Sequence, residues 1–163
     1  MPTRHILLFI AACFLVLPCS MGEAPAADAA ALALVTKIYN AYKGKSSKGY
    51  SIEGEVEIRR TFEPSLAALI IQDEKAAAKR KEVPALEFDP FVDGQEWDLS
   101  EVTIGVSNTL PNKAVATVNF KNFGLPTKIV LNLVKTKSDW QIAEITWTRG
   151  DSTPETLRGL FKH

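Results

Sequence analysis

The second half of the chain contains four short runs in which apolar and polar residues alternate, and this pattern restricts the fold more than any other feature. A period of two places the apolar side chains on one face of a β-strand, so each run predicts a strand with one buried face. Only a few residues separate consecutive runs, and such short connections imply an antiparallel meander. The four predicted strands cover residues 101–108, 114–123, 128–136 and 140–148.

The first half of the chain predicts two helices. Apolar residues follow Asp28 at helical spacing, and Asp28 can cap the first of these helices. The apolar positions that share one face are Leu32, Val35, Ile38, Tyr39 and Tyr42. The second predicted helix covers residues 64–81 and begins with Pro64, because proline suits the first turn of a helix.

Two shorter segments complete the predicted fold. In residues 50–60, isoleucine and valine alternate with glutamate, which predicts a half-buried strand with an acidic outer face. Ser152 and Glu155 have the spacing of a capping box, which predicts a short C-terminal helix over residues 152–162. We therefore expect an α+β fold, with N-terminal helices packed on a curved antiparallel sheet around a cone-shaped cavity and a short C-terminal helix.

Residues 1–27 have the pattern of a cleaved secretory signal peptide. The apolar run 6–17 has 12 residues, too few to span a hydrocarbon core of about 30 Å as a helix. The small residues Ala24-Pro25-Ala26 that follow it are typical of a cleavage site. We therefore expect a periplasmic or secreted protein whose mature part, residues 28–163, is a single α+β domain.

Both cysteines of the chain, Cys13 and Cys19, lie in this predicted leader. The mature domain would then contain no disulfide and no thiolate metal ligand. Residues 10–13 resemble the lipidation motif of bacterial lipoproteins, and Cys19 also follows the apolar run. Lipidation at Cys13 or Cys19 is therefore the one way in which we expect the protein to be held at a membrane.

Charge and histidine content exclude several classes of function. The chain has 19 basic and 19 acidic residues, so no net field attracts it to nucleic acid. His163 is the one histidine outside the predicted leader, which excludes a Ser-His-Asp triad and a histidine-based metal site. The sequence also lacks the glycine-rich phosphate-binding motifs, and we predict no cofactor.

The acidic stretch 88–98 looks most like a functional site. It aligns in part with a calcium-binding loop, because Asp89, Asp93 and Gly94 occupy the first, fifth and sixth positions. Phe91 and Ser100, however, stand where calcium needs oxygen ligands, so we predict no metal there. We interpret the stretch as a structural connection in which aromatic side chains join the second helix to the sheet.

Three short motifs resemble those of the family called domain of unknown function numbered 3828. The residues that carry the resemblance are Ser65, Leu66, Leu69, Asp89, Pro90, Phe91, Gln95, Trp97, Trp140, Ile142 and Ile145. Members of that family are exported or lipoprotein-type proteins of Gram-negative bacteria and belong to the nuclear transport factor two-like, ketosteroid-isomerase-like fold group. The resemblance covers roughly residues 32–161, implies the cone-shaped fold, and implies no particular activity.

Six residues are candidates for a cavity or an interface: Tyr39, Tyr42, Asp89, Gln95, Trp97 and Trp147. Trp140 and Trp147 are seven positions apart on the last strand, which predicts that they point to opposite faces. One of the two should then pack under a helix. For the other we favour packing across neighbouring strands; if it were exposed, it would mark a surface for a partner or ligand, since large aromatic residues are common at binding hot spots.

We expect a non-enzymatic periplasmic module that binds a small hydrophobic ligand or a protein partner, with a homodimer also open. One alternative is an acid–base enzyme that uses a cavity carboxylate and the tyrosines on a hydrophobic substrate. Another is an immunity- or inhibitor-type protein that blocks a partner with its acidic strand and exposed loops.

Overall fold

The computed structural model describes residues 29–137, 139–148 and 152–162. The predicted leader with Cys13 and Cys19, and the capping residue Asp28, lie outside the described residues. Within them, three α-helices precede a five-stranded antiparallel sheet, and a 3-10 helix ends the chain. The predicted α+β class, with helices on an antiparallel sheet, is confirmed.

The elements follow one another in a simple order. The helices are α1 (Ala29–Asn40), α2 (Glu55–Thr61) and α3 (Pro64–Arg80), and the terminal 3-10 helix is Leu157–Phe161. The strands are β1 (Leu99–Leu110), β2 (Lys113–Asn122), β3 (Leu125–Thr136), β4 (Asp139–Thr148) and the two-residue β5 (Glu155–Thr156). They lie in the sheet in chain order, each antiparallel to the next. In this part of the chain, no helix is both long and apolar enough to cross a membrane.

The core lies between the helices and one face of the sheet. Alternate residues of β2 and β3 point into it, among them Val118 and Leu131, which are fully buried. Val35 and Ile38 of α1 are also fully buried against this face. Burying a side chain of this size contributes about 1.5–3 kcal/mol, so the shared apolar face holds α1 on the sheet.

The predicted strand at residues 50–60 is wrong, because residues 55–61 form helix α2. Gly54, with φ of 83°, turns the chain immediately before this helix. Glu55 and Arg59 then pair at 2.7 Å with a spacing of four residues, which stabilises a helical turn. Ile58 is fully buried, whereas Val56 is 76% exposed, so the apolar residues do not share the strand face that their alternation suggests.

The predicted short C-terminal helix is present, but as a 3-10 helix that begins at Leu157 rather than at residue 152. Thr156 pairs with Thr146 of β4, so the segment enters as a strand before it turns. The terminal 3-10 helix is capped by the Thr156 hydroxyl, which accepts a hydrogen bond from the Gly159 N–H at 3.1 Å. Glu155 and Thr156, which the capping-box spacing assigns to the first helical turn, therefore pair with β4 instead.

A β-bulge in β4 overturns the prediction that the two tryptophans of this strand point to opposite faces. Asn132 pairs with Glu144, but the next residue, Leu133, pairs with Ile142, which leaves Ala143 as an extra residue. One extra residue reverses the alternation of the side chains. Trp140 and Trp147 consequently lie on the same face, and both are buried in the core.

Candidate functional site

Residues 89–94 form a closed loop between α3 and the sheet. The Asp89 N–H donates a hydrogen bond to the Gly94 carbonyl at 3.0 Å, and the Phe91 N–H donates to Asp89 Oδ1 at 2.9 Å. Asp93 has a φ of 54°, a left-handed conformation that aspartate tolerates better than most residues. Asp89 thus organises the backbone of this loop with its own side chain.

Three of the candidate residues attach this loop to the rest of the molecule. Tyr42 Oη donates a hydrogen bond to Asp89 Oδ2 at 2.6 Å, and Tyr39 Oη donates to the Phe91 carbonyl at 2.9 Å. Trp147 Nε1 donates to the Pro90 carbonyl at 2.8 Å. The loop is therefore held from the end of α1 and from β4 by side chains that are themselves almost fully buried.

Trp97 closes the same cluster from the outside. Its ring meets the ring of Tyr42 edge to face at 5.4 Å, and its Nε1 donates to Ser47 Oγ at 2.9 Å. Gln95 lies apart from the cluster, because its exposed side chain bonds only weakly to the Glu87 carbonyl at 3.4 Å. The structure thus brings together five of the six candidates and leaves Gln95 at the surface.

Gly49 is a residue of this cluster that the sequence analysis did not select. It has a φ of 71°, and a Cβ at this position would lie 3.1 Å from both Trp97 Cη2 and Tyr42 Cε1. The same Cβ would lie 3.3 Å from Asp89 Oδ2. The close approach requires glycine, but the sequence shows only a glycine in a polar loop, which is common in any loop.

Burial sets the electrostatics of the Tyr42–Asp89 pair. Loss of solvent raises the pKa of Asp89, although the hydrogen bonds from Tyr42 and from the Phe91 N–H act in the opposite direction. Burial, reinforced by the negative charge of Asp89, raises the pKa of Tyr42 and of Tyr39 well above the usual range of tyrosine. The proton shared by the pair therefore stays on Tyr42, and Asp89 accepts.

This arrangement serves packing better than proton transfer to a substrate. Each oxygen of Asp89 already accepts a hydrogen bond from the protein itself, and Tyr42 is only 3% exposed. The space between the helices and the sheet is filled by large buried side chains, namely Tyr39, Phe62, Phe91 and Trp147.

Two of the open grooves on the described surface lie beside α1 and the turn that follows it. The larger has a volume of about 750 Å³ and lies between α1, α2 and the start of β4, where Lys37, Arg60 and Trp140 line it. The smaller, of about 410 Å³, lies beside Tyr42 and Trp97. Within the described part of the chain, no three acidic, histidine or cysteine residues lie close enough together to hold a metal ion.

The turn between β2 and β3 is the most unusual surface feature, and we call residues 122–125 the hairpin tip. Asn122 pairs with Leu125, so two residues, Phe123 and Gly124, make the turn with φ of 48° and 79°. Phe123 is 59% exposed and Leu125 is 71% exposed. The predicted strand 114–123 included Phe123, whereas the structure places this residue in the turn; the glycine that follows it was the available signal.

The fold is similar to that of a solved structure. No protein-family model matches the chain, and no curated protein matches it. A structural match is a chain in the crystal structure of the type VI native effector–immunity complex Tae3–Tai3 from Ralstonia pickettii. The TM-score is 0.51 with 19% sequence identity, and the match covers 75% of this chain and 96% of that chain. At this identity the likeness shows a shared fold.

Proposed function

We propose that the mature domain is an exported protein-binding module of the immunity or inhibitor type. The observation that carries this proposal is the likeness of its fold to a chain of an effector–immunity complex. The predicted signal peptide supports it, because an inhibitor must reach the compartment in which its target acts.

The geometry of the candidate site supports binding rather than catalysis. Tyr42 and Asp89 are the pair that an acid–base enzyme would use, but they bond to each other and to the loop 89–94. The side chains available to contact another molecule are instead exposed apolar ones, such as Phe123 and Leu125. Such residues favour a partner protein over a small molecule enclosed in the core.

A competition experiment tests this function. The gene is deleted in its bacterium, and the deletion strain is grown in contact with its parent under conditions in which the parent kills a standard competitor. We expect fewer deletion cells to survive, because they lack the inhibitor of a toxin that the parent delivers. Full-length protein supplied from a plasmid should restore survival.

A version that lacks residues 1–27 is the matched control, and it should not restore survival because it cannot be exported. If this version protects as well as the full-length protein, the proposed export is wrong. If deletion and parental cells survive equally well, the proposed immunity function is wrong.

A further inference from the structure

We infer that the hairpin tip is the part of the molecule that enters the partner: Phe123 and Leu125 insert into an apolar cleft of a protein whose rim is basic. The inference rests on the proposed function, and it adds which residues bind and what chemistry they require of the partner.

The backbone conformation of the tip is unfavourable for the residue that occupies it. A two-residue turn with positive φ at both positions favours Asn-Gly, because these residues tolerate the left-handed region. This chain has Phe123 in the first position, and a bulky residue with positive φ is a true outlier. Phenylalanine is therefore a poor residue for the turn itself, which points to a use for its ring outside the hairpin.

The position of the two apolar side chains is the second argument. Phe123 is 59% exposed, so packing within this chain does not account for its large apolar side chain. Leu125, two residues away on the same tip, is 71% exposed. An exposed phenylalanine and an exposed leucine on one turn offer an apolar anchor of the kind that fills a pocket on a partner.

The tip is also held rigidly, which is the third argument. The Phe123 N–H donates a hydrogen bond to the Asp98 carbonyl at 3.1 Å. The Asn122 side chain accepts from the Asp98 N–H at 2.9 Å and donates to the Glu96 carbonyl at 3.4 Å. An anchor that is fixed before binding loses less conformational entropy when the complex forms.

The charges beside the tip specify the chemistry of the partner. Glu96 and Asp98, whose backbones brace the tip, are both exposed and acidic. Glu101 and Lys121 lie next to them and offset each other in an ion pair of 2.7 Å. Lys45 lines the groove beside Asp98 and opposes one of the two acidic charges. The immediate surroundings of the anchor are therefore weakly acidic, and the complementary surface is basic. The same charges disfavour insertion of the tip into an anionic membrane.

The experiment places a photo-crosslinking amino acid at position 123 of the full-length protein in its own bacterium. The matched control carries the same amino acid at Val83, which is 67% exposed but lies in a different part of the chain. We expect irradiation to join position 123, but not position 83, to a second protein that mass spectrometry identifies. An adduct with another copy of this chain, an adduct with lipid, or no adduct would overturn the inference.

Affinity measurements with the captured protein complete the test. Phe123→Asn should weaken binding by about tenfold or more, since anchor residues dominate affinity. The same variant should raise the melting temperature, because asparagine tolerates the left-handed region better than phenylalanine. Val83→Thr should change neither property. Unchanged affinity of Phe123→Asn would overturn the inference.

The outcomes separate this inference from the proposed function. If the crosslink and the affinity loss are found but the deletion strain is not killed by its parent, the tip binds a partner and the immunity function is wrong. If wild-type protein protects cells and Phe123→Asn protects them equally well, the immunity function stands and the role of the tip is wrong.

Discussion

Gly49 is the residue at which local conformation and packing make the strictest demand. Its backbone has positive φ, and the rings of Tyr42 and Trp97 press against the position where a Cβ would be. Gly44, a few residues earlier, also has positive φ, but no atom lies within 4 Å of its Cβ position. Substitutions at these two glycines therefore separate the free-energy cost of a left-handed backbone from the free-energy cost of steric crowding.

We predict that Gly44→Ala lowers the free energy of unfolding by about 1 kcal/mol, the cost of a left-handed alanine. Gly49→Ala should lower it by a further amount of about 1–3 kcal/mol, because the new methyl group over-packs the cluster around Asp89. Urea denaturation of both variants measures the difference. Equal losses would show that the crowding at Gly49 has no energetic consequence.

At the scale of single elements, the bulge in β4 decides which residues form the core. If the same sequence paired without a bulge, Trp140 and Trp147 would lie on opposite faces, as their spacing of seven residues indicates. The bulge is held in place by Arg158, whose Nε donates a hydrogen bond to the Ala143 carbonyl at 3.2 Å. Arg158 lies in the terminal 3-10 helix, so a distant segment stabilises the irregularity.

We predict that deletion of Ala143 costs only about 0.5–1.5 kcal/mol of stability, the contribution of the hydrogen bond between Arg158 Nε and the Ala143 carbonyl. The deletion removes the extra residue and the bulge together, so Trp140, Ile142, Ile145 and Trp147 keep their places on the core face. Ala143→Ser keeps the number of residues and should remain close to wild type. Thermal unfolding followed by tryptophan fluorescence checks both variants, and a loss of about 3 kcal/mol or more on deletion, the cost of turning large side chains towards solvent, would contradict this account of the bulge.

At the scale of the whole molecule, contacts between residues far apart in sequence hold the helices to the sheet. Glu63 caps α3 by accepting hydrogen bonds from backbone N–H groups and also pairs with Arg158 near the end of the chain. Burial alone would raise the pKa of Glu63, but the hydrogen bonds from Ser65 and Leu66 and the charge of Arg158 outweigh it and lower the pKa. Asp89 has the opposite balance, since its burial dominates and raises its pKa.

The raised pKa of Asp89 gives a pH dependence with a definite sign. The folded state holds this proton more tightly than the unfolded state, so the contribution to stability is present below about pH 4, the usual range of aspartate, and is lost as pH rises through the raised pKa. We predict that wild type loses stability relative to Asp89→Asn as the pH rises from about 4 through the raised pKa of Asp89, because the variant has no charge to bury.

Denaturation curves at several pH values measure the difference in the free energy of unfolding between wild type and Asp89→Asn. Because Glu63 is present in both proteins, its opposite contribution cancels in this difference. Asp98→Asn is the control, because this aspartate lies at the surface. If the difference between wild type and Asp89→Asn does not change with pH, burial of the Asp89 charge has no effect on folding.

The sequence by itself determined the parts of the fold that depend on local periodicity. The alternation in β1–β4 specified four antiparallel strands, since a period of two leaves one apolar face to bury. The spacing of Val35, Ile38 and Tyr39 specified α1 in the same way, and Pro64 marked the start of α3. The aromatic and acidic stretch 88–98 does lie between α3 and β1, as its turn-forming residues indicated, and Phe91 is buried in the core.

Tertiary structure decided the rest, because the deciding interactions join residues that are distant in sequence. Residues 55–61 form helix α2 instead of the predicted strand, because Ile58 is buried in the core and Glu55 pairs with Lys75 of α3 at 3.0 Å. Tyr42 and Asp89 are 47 positions apart, and no local pattern predicts their hydrogen bond. The exposure of Phe123 could likewise not be read from its neighbours. Local spacing states which side chains share a face; only packing states which face is covered and which is left for a partner.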